Sequence, residues 1–238
     1  NFACGKCVTC RKGLSRHCPT RSVLGILDAD GVFAEQFLIP DGNLLAVPDE
    51  VDDRAAVFAE PLAAACEILE QLGAFPREDA LVLGDGKLGL LVAQTLGADG
   101  FDVTLVGHHV ERLDWLESRG VKLASTIADG MKFPLTVEAT GNVVGLESAI
   151  RATAARGTLV LKSTVAKRHE IDLAPLVIDE IRVMGSRCGP FEPALARLAS
   201  GVIATEYMID SVYELASIER AIERAGGSGV MKVLVENR

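Results

Sequence analysis

Short apolar runs alternate with amphipathic stretches over the central part of the chain, from residue 79 to residue 184. The runs are rich in Val and Leu, as strands buried on both faces are. The stretches between them repeat apolar residues at helical spacing. This alternation predicts a parallel sheet covered by helices on both faces, which is the doubly wound Rossmann class of α/β fold. The predicted strands are residues 80–83, 103–106, 121–123, 135–138, 158–161 and 181–184, and the predicted helices are residues 88–96, 110–118, 144–155 and 173–178.

The two ends of the chain have a different pattern. Apolar residues on both sides of the Asp-Ala-Asp-Gly turn at residues 28–31 predict a β-hairpin over residues 23–39. The other predicted elements near the ends are a short helix capped by Asp52 or Asp53, a helix that follows Glu60 and stops at Gly73, helices at residues 193–200 and 217–224, and a strand at residues 231–235.

Four of the six cysteines lie within fifteen residues, at Cys4, Cys7, Cys10 and Cys18. Four thiolates at this spacing favour a structural Zn²⁺ site, because such sites are tetrahedral and keep no open position. A disulfide cluster is less favoured, since cysteines three residues apart pair poorly and the rest of the chain is not rich in cysteine. A redox-active Cys-x-x-Cys pair is the third alternative, although its flanks lack a strand-to-helix junction.

The composition indicates an acidic, folded protein. Of its 238 residues, 49% are apolar and 24% are charged, and the formal net charge is -9. This apolar fraction excludes a disordered chain, and the acidic balance argues against nucleic-acid binding, which needs a basic face. No apolar run reaches the roughly 18 uncharged residues of a membrane span, so we expect a soluble, cytoplasmic protein without membrane partners. Because the chain begins at Asn1 and not at Met, we also expect that an upstream segment is missing.

A glycine motif follows the first predicted strand. Gly84, Gly86 and Gly89 match the spacing Gly-x-Gly-x-x-Gly, with Lys87 and Leu88 between the last two. The motif alone is weak, but here it joins an apolar strand to a helix, which is the context of a dinucleotide-binding loop. In such a loop the first glycine makes the turn, the second lets a pyrophosphate approach, and the third lets the helix pack on the strand. The alternative is a glycine-rich turn with no ligand.

The end of the second predicted strand bears on the choice between NAD and NADP. An NAD site usually has a carboxylate there, which binds the ribose 2′-hydroxyl. This chain instead has Gly107, His108 and His109, followed by Arg112. Side chains of this kind can donate to a 2′-phosphate, so the sequence favours NADP over NAD. The alternative is that both histidines are solvated and that either dinucleotide binds.

Together these motifs resemble those of the zinc-containing medium-chain dehydrogenase/reductases, the alcohol dehydrogenase-like superfamily. The four-cysteine lobe comes first and the glycine motif follows it, in the order of that family. The other matching segments are Gly-Val-Phe-Ala-Glu-Gln-Phe-Leu-Ile-Pro at residues 31–40, Glu60-Pro61-Leu62-Ala63, Val137-Glu138-Ala139-Thr140-Gly141 and Gly185-Ser186.

The resemblance implies a Rossmann domain inserted in a GroES-like, β-rich catalytic domain. It assigns residues 1–60 to a partial catalytic domain with the structural zinc lobe and residues 61–185 to the NAD(P)-binding domain. Residues 186–238 would then return to the catalytic domain. Thr140 and Gly141 would lie near the nicotinamide, and the last Rossmann strand, residues 181–184, would form the edge of a homo-oligomer.

The implied reaction is hydride transfer between a nicotinamide and an alcohol or carbonyl carbon, with an alcohol, aldehyde or ketone as substrate. In the family a catalytic Zn²⁺ polarises the substrate oxygen. Its first ligands lie upstream of the cysteine lobe, and only Glu60 matches a motif that supplies a catalytic zinc ligand or a partner of one. A carboxylate at a helix start that interacts with the helix dipole is the alternative for Glu60.

The upstream ligands are absent from this sequence, so we expect the 238 residues to bind dinucleotide and structural zinc with little or no turnover. Two other functions stay open. One is a non-catalytic dinucleotide sensor or scaffold, and the other is a quinone or enoyl reductase of the same superfamily. The cysteine lobe argues against the second, because such reductases typically lack it.

Overall fold

The computed structural model describes residues 1–110, 113–164 and 170–237. The chain forms two compact units. Unit 1 contains Asn1–Pro48 and Tyr207–Arg238, and unit 2 contains Asp49–Glu206. No helix of the described residues is both long and apolar enough to cross a membrane.

Within the described residues, six parallel strands of unit 2 form one sheet with the order β3-β2-β1-β4-β5-β6. This is the strand order of the Rossmann fold, in which the order reverses between β1 and β4. The central strands are almost completely buried, as their continuous apolar sequences predict. The predicted parallel sheet is therefore confirmed. Its strands are β1 (Asp79–Leu83), β2 (Asp102–Val106), β3 (Lys122–Ala124), β4 (Phe133–Glu138), β5 (Thr153–Leu161) and β6 (Arg182–Gly185).

The helices of unit 2 follow the predicted pattern with shifted ends. Asp52 caps α2 by accepting hydrogen bonds from the backbone N–H groups of Arg54 and Ala55. Gly73 ends α3 with a φ of +56°, a conformation that favours glycine. The helix predicted at residues 110–118 is much shorter, and residues 111 and 112 lie outside the described residues. The helices are α2 (Asp53–Ala56), α3 (Ala59–Leu72), α4 (Lys87–Ala98), α5 (Asp114–Glu117), α6 (Val143–Ala152), α7 (Ala174–Ile178) and α8 (Phe191–Ala199).

The bounds of unit 2 differ from those predicted for the dinucleotide domain, since residues 49–60 and 186–206 also belong to it. Helix α8 packs against α3. The buried Gln94 amide donates to the Ala204 carbonyl at 3.2 Å and accepts from the Ala204 backbone N–H at 2.7 Å. These contacts explain why residues 186–206 belong to this unit.

Unit 1 combines the cysteine lobe with a small β-α-β element at the carboxyl end. Strands β7 and β8 are parallel, and α9 connects them. The predicted final helix and strand are confirmed, whereas β7 was not predicted, because its sequence mixes polar and apolar residues without a clear alternation. The elements of unit 1 are α1 (Val8–Arg11), β7 (Ile209–Glu214), α9 (Ile218–Ala225) and β8 (Lys232–Glu236), and 3-10 turns span Ser15–His17, Asp41–Asn43 and Leu215–Ser217.

The hairpin predicted over residues 23–39 is wrong. The described backbone has only isolated bridges there, between Val23 and Leu27 and between Phe2 and Ser22. Apolar side chains of the segment remain exposed, including Ile26 and Leu38. A strand needs a continuous partner strand for its backbone hydrogen bonds, and the described residues of this segment form no such pairing beyond the single bridge.

Candidate functional site

The glycine loop lies between β1 and α4, where the strand order of the sheet reverses. Gly84 has a φ of +111°, and a Cβ atom there would lie 2.7 Å from the Ala139 carbonyl oxygen. Its backbone N–H donates to the Val106 carbonyl at 2.8 Å. The first turn of the motif is thus held between the ends of β2 and β4, and only glycine fits it.

The other two glycines of the motif have different surroundings. Gly86 caps α4, and a Cβ atom there would meet nothing within 4 Å. Gly89 lies inside the helix, where a Cβ atom would be 1.8 Å from the Gly84 carbonyl oxygen. Gly86 therefore leaves room for a ligand at the helix start, whereas Gly89 permits close packing of helix and loop. Lys87 is exposed and Leu88 is partly buried in the first turn of α4.

A cleft of about 920 Å³ opens above the glycine loop, at the carboxyl ends of the strands. In Rossmann sheets, ligands bind in the crevice at this reversal of strand order. Among the predicted cofactor-binding residues, those that line the cleft are Gly84, Gly86, Gly107, His108 and Thr140. The predicted residues that do not line it are Lys87, Leu88, Gly89, His109 and Gly141, and Arg112 is outside the described residues.

At the end of β2, the structure adds a residue that the sequence analysis missed. Asp85 Oδ2 accepts a hydrogen bond of 2.6 Å from the backbone N–H of His109, and it lies 3.5 Å from His109 Nδ1. A Cβ atom on Gly107 would lie 2.3 Å from Asp85 Cβ and Cγ. The sequence places Asp85 in the motif, as the variable residue between the first two glycines. It does not show where the Asp85 side chain points.

At the end of β4, the buried Glu138 carboxylate organises the turn that was predicted to lie near the nicotinamide. Its Oε1 accepts from the backbone N–H of Thr140 at 2.7 Å, from Thr140 Oγ1 at 2.5 Å and from the backbone N–H of Gly141 at 3.2 Å. Its Oε2 accepts from Ser163 Oγ at 2.5 Å. Ser163 Oγ also accepts from the Gly141 N–H at 3.0 Å. Predicted residues Thr140 and Gly141 are thus brought together by Glu138 and Ser163, which were not predicted as site residues.

The ends of β5 and β6 carry a second polar pair. Lys162 is buried, with 8% of its surface exposed, and its Nζ donates to Ser186 Oγ at 3.0 Å. The Ser186 backbone N–H donates to the Leu161 carbonyl, also at 3.0 Å. The Gly185-Ser186 motif thus joins the last two strands at the edge of the sheet where ligands bind.

The four predicted metal ligands of unit 1 converge. All four sulfur atoms lie within 4.8 Å of one another, and all four cysteines are free thiols. Neighbouring sulfurs are 3.4 Å apart for Cys7 and Cys10, 3.6 Å for Cys4 and Cys18, and 4.0 Å for Cys7 and Cys18. Tetrahedral Zn²⁺ with Zn–S bonds of about 2.3 Å requires sulfurs about 3.8 Å apart, whereas a disulfide requires about 2.05 Å. The cluster fits a zinc ion.

Backbone groups of the lobe favour thiolates at two of the four positions. The Cys4 N–H donates to Cys18 Sγ at 3.5 Å, and this bond is the main reason that the pKa of Cys18 is lowered to about 6. The backbone N–H of Lys6 lowers the pKa of Cys4. Burial raises the pKa of Cys10 to about 12, so its proton must be displaced when a metal binds. The lobe therefore combines two thiols whose surroundings favour loss of the proton with one thiol whose surroundings disfavour it.

Glu60 lies exposed in the first turn of α3, where a carboxylate interacts favourably with the helix dipole. Within the described ranges, the four cysteines form the single group of three or more metal-ligating side chains. The described residues therefore do not assemble a catalytic zinc site around Glu60.

Comparisons with known proteins agree with this architecture. No protein-family model matches the chain. The 2-dehydro-3-deoxy-L-galactonate 5-dehydrogenase of Pseudoalteromonas atlantica is 27% identical over 98% of this chain and 72% of its own length. A zinc-binding dehydrogenase from Sinorhizobium meliloti bound to NADP superposes with a TM-score of 0.87, at 25% identity over 98% of this chain and 74% of its own. An Escherichia coli alcohol dehydrogenase complexed with NADH has a TM-score of 0.86, also at 25% identity, with the same coverages.

These relatives define the class of protein. The fold is that of dinucleotide-dependent dehydrogenases that combine a Rossmann domain with a GroES-like domain, which confirms the predicted fold class. The homologues and structural neighbours of the chain are zinc-binding, alcohol dehydrogenase-like members of the medium-chain dehydrogenase/reductases, which confirms the resemblance drawn from the motifs.

Proposed function

We propose that this chain carries the dinucleotide site and the structural zinc site of an NAD(P)-linked alcohol or polyol dehydrogenase. The observation that carries the proposal is the cleft above Gly84 and Gly86, at the reversal of strand order in the sheet. The names of the relatives support it, because they are dehydrogenases of sugar acids and sugar alcohols, among them a sorbitol dehydrogenase. The substrate class is therefore a small polyol, or the matching aldehyde or ketone.

In this proposal each part of the cleft has one task. Gly86 and the N-terminus of α4 receive the pyrophosphate, because the open backbone and the helix dipole both favour an anion. The turn at Thr140 and Gly141, held by Glu138, supports the nicotinamide end. The nicotinamide supplies the chemistry when bound, since it accepts or donates the hydride.

The cysteine lobe would hold zinc for structural purposes. Cys4, Cys7, Cys10 and Cys18 can fill all four positions of a tetrahedral ion, and a closed site of this kind leaves no position for substrate. A quinone or enoyl reductase remains the less supported alternative, because this lobe has no role in that class.

A catalytic zinc has no complete ligand set among the described residues. Glu60 stays a predicted ligand or a partner of one. Because this set is incomplete, we expect these 238 residues to turn over substrate slowly at best.

The preference for NADP over NAD stays a prediction. Solved relatives have been found with NADP and with NADH. His108 and His109 support NADP, because both lie at the end of β2 and could donate to a 2′-phosphate. The Asp85 carboxylate opposes NADP, because a 2′-phosphate beside it would place two negative groups together.

Assembly as a homo-oligomer through β6 also belongs to the proposal. Strand β6 is an outer strand of the sheet, and Val183 is 44% exposed on it. Nearby, Val177 and Ile178 of α7 are 76% and 77% exposed. An exposed edge with apolar neighbours is suited to pairing with a second copy.

The experiment that tests the function is single-turnover reduction of NAD and NADP. The protein is supplied in amounts similar to the dinucleotide, and absorbance at 340 nm is followed with each member of a polyol panel. We expect reduction that depends on one class of polyol. A folded protein that binds the dinucleotide but reduces it with no member of the panel would instead favour the non-catalytic sensor.

A further inference from the structure

We infer that Asp85 supplies, from the glycine loop, the carboxylate that is missing from the end of β2, and that it thereby opposes binding of NADP. The inference rests on the proposed function and deepens it, because it assigns a specificity-determining residue to the same cleft. No acidic residue stands directly at the end of β2, where the strand is followed by Gly107-His108-His109. The carboxylate at this position comes from a different strand, β1, through the loop that follows it.

Gly107 is the first observation that carries the inference. A Cβ atom at this position would lie 2.3 Å from Asp85 Cβ and Cγ and 2.5 Å from Asp85 Oδ2. Any other residue at the end of β2 would therefore displace the Asp85 side chain. The Asp85 side chain occupies the space next to the end of β2, and this space is available because Gly107 has no side chain.

The second observation is that the Asp85 carboxylate is held in position. Its Oδ2 accepts from the His109 backbone N–H at 2.6 Å, and only 14% of the side chain is exposed, compared with 56% for His109. A carboxylate can accept several hydrogen bonds, so the bond to His109 leaves capacity for a ribose hydroxyl. Asp85 also lines the cleft, together with Gly84, Gly86 and His108.

These contacts define how Asp85 would act on a dinucleotide. A carboxylate beside the end of β2 can accept hydrogen bonds from the 2′-hydroxyl of the adenosine ribose in NAD. A 2′-phosphate in the same place would bring a second negative group against a partly desolvated carboxylate, and such pairs are strongly unfavourable. His108 and His109 can reduce this repulsion but do not remove the carboxylate. Asp85 therefore favours NAD, and the histidines favour NADP.

The test is a comparison of dissociation constants for NADH and NADPH, measured from the fluorescence of the bound nicotinamide. Asp85→Asn keeps an oxygen that can accept from the His109 N–H but removes the charge. We expect the ratio of affinities to shift towards NADPH by about tenfold, as like-charge contacts of this kind imply. Asp85→Ser, which removes the charge with a smaller side chain, should shift the ratio in the same direction.

The matched control is Asp102→Asn. It removes the same charge from the opposite end of β2, where Asp102 pairs with Lys122 in an exposed ion pair. The control should leave the ratio unchanged. If both dinucleotides bind and neither Asp85 variant changes their ratio by more than about twofold, this inference is overturned while the proposed function stands. If the folded wild-type protein binds neither dinucleotide, the proposed function fails and this inference fails with it.

Discussion

The three glycines of the dinucleotide motif have different physical reasons for being glycine. Gly84 needs a positive φ and has the Ala139 carbonyl beside it, and Gly89 has the Gly84 carbonyl within 1.8 Å of a built Cβ atom. Gly86 has a φ of −78° and open space around it. Two of the glycines are therefore required by the fold, and the third leaves space for the proposed dinucleotide.

Substitution of single glycines by alanine should separate these reasons. We expect Gly86→Ala to melt within a few degrees of the wild type but to bind NADH at least about tenfold more weakly, because its methyl group occupies the pyrophosphate position. Gly89→Ala should lower the melting temperature markedly, because backbone must move to admit the methyl group. Thermal melting and NADH titration of both variants are the measurements. Equal melting temperatures for the two variants would contradict this assignment.

Glu138 is the residue-scale feature that holds the Thr140-Gly141 turn. Glu138→Gln replaces one acceptor oxygen by an NH₂ group that faces donors, so we expect a loss of about 1–3 kcal/mol in the free energy of unfolding and weaker dinucleotide binding. The exposed Glu147→Gln is the control, because its ion pair with Arg151 is long, at 4.0 Å. Denaturant unfolding and NADH titration give the two readouts. Unfolding of the Glu138 variant at the wild-type midpoint would refute a structural role for this network.

At the scale of elements, the sequence predicted the sheet well because its strands are continuously apolar. Parallel strands buried on both faces leave a clear pattern, and the glycine motif marks the junction of β1 and α4. Elements of unit 1 were harder to predict. The apolar pattern of residues 23–39 resembles that of two strands, but the segment pairs with no other strand of the described residues. The sequence of β7 does not alternate clearly between apolar and polar residues. Pairing depends on contacts that a local pattern does not contain.

The same limit applies to the candidate site. The spacing of the cysteines was sufficient to predict their convergence, because four thiols close together in the chain can surround one ion. Asp85 and Ser163 could not be assigned, since each acts through a side-chain direction that follows from the tertiary structure. The sequence shows that the end of β2 has no carboxylate of its own. It does not show that Asp85, from a neighbouring loop, lies at that place.

A charged pair gives the carboxyl-terminal β-α-β element a predicted pH dependence. Arg224 Nε and Nη2 donate to Asp210 at 2.8 and 2.7 Å, and this pair lowers the pKa of the Asp210 carboxyl. Because the pKa of Asp210 is lower in the folded state than in the unfolded state, the ion pair stabilises the fold fully at pH values above the unfolded pKa, near 3.8. This stabilisation is lost as the pH falls through the folded-state pKa. We therefore expect the Asp210→Asn variant to melt below the wild type at pH 7, with the difference disappearing at strongly acidic pH.

Thermal melting between pH 7 and pH 2 is the measurement for this prediction. Arg224→Gln removes the partner and should give the same pH-dependent difference. A difference between wild type and either variant that persists undiminished at pH 2 would show that the pair does not act through ionisation of Asp210.

At the scale of the whole molecule, the two candidate sites lie in different units. The four cysteines belong to unit 1, and every residue that lines the dinucleotide cleft belongs to unit 2. We therefore expect that the ligands proposed for the two candidate sites can be removed separately.

Removal of the metal should affect the units unequally. We expect elemental analysis to find about one zinc per chain, and Cys18→Ser to lose it together with stability of the lobe. NADH affinity should change by less than about twofold, because no cleft residue belongs to the lobe. A protein that folds with no bound metal, or one whose NADH binding disappears with the zinc, would contradict this division of tasks.

The central claim is that the cleft at the strand reversal binds a nicotinamide dinucleotide. Calorimetric titration of the 238-residue protein with NADH and NADPH tests it most directly, with Gly86→Ala titrated under the same conditions. We expect saturable binding of one dinucleotide per chain and a large loss of affinity in the variant. Absence of binding to either dinucleotide by a protein that melts cooperatively, or equal binding by the variant, would contradict it.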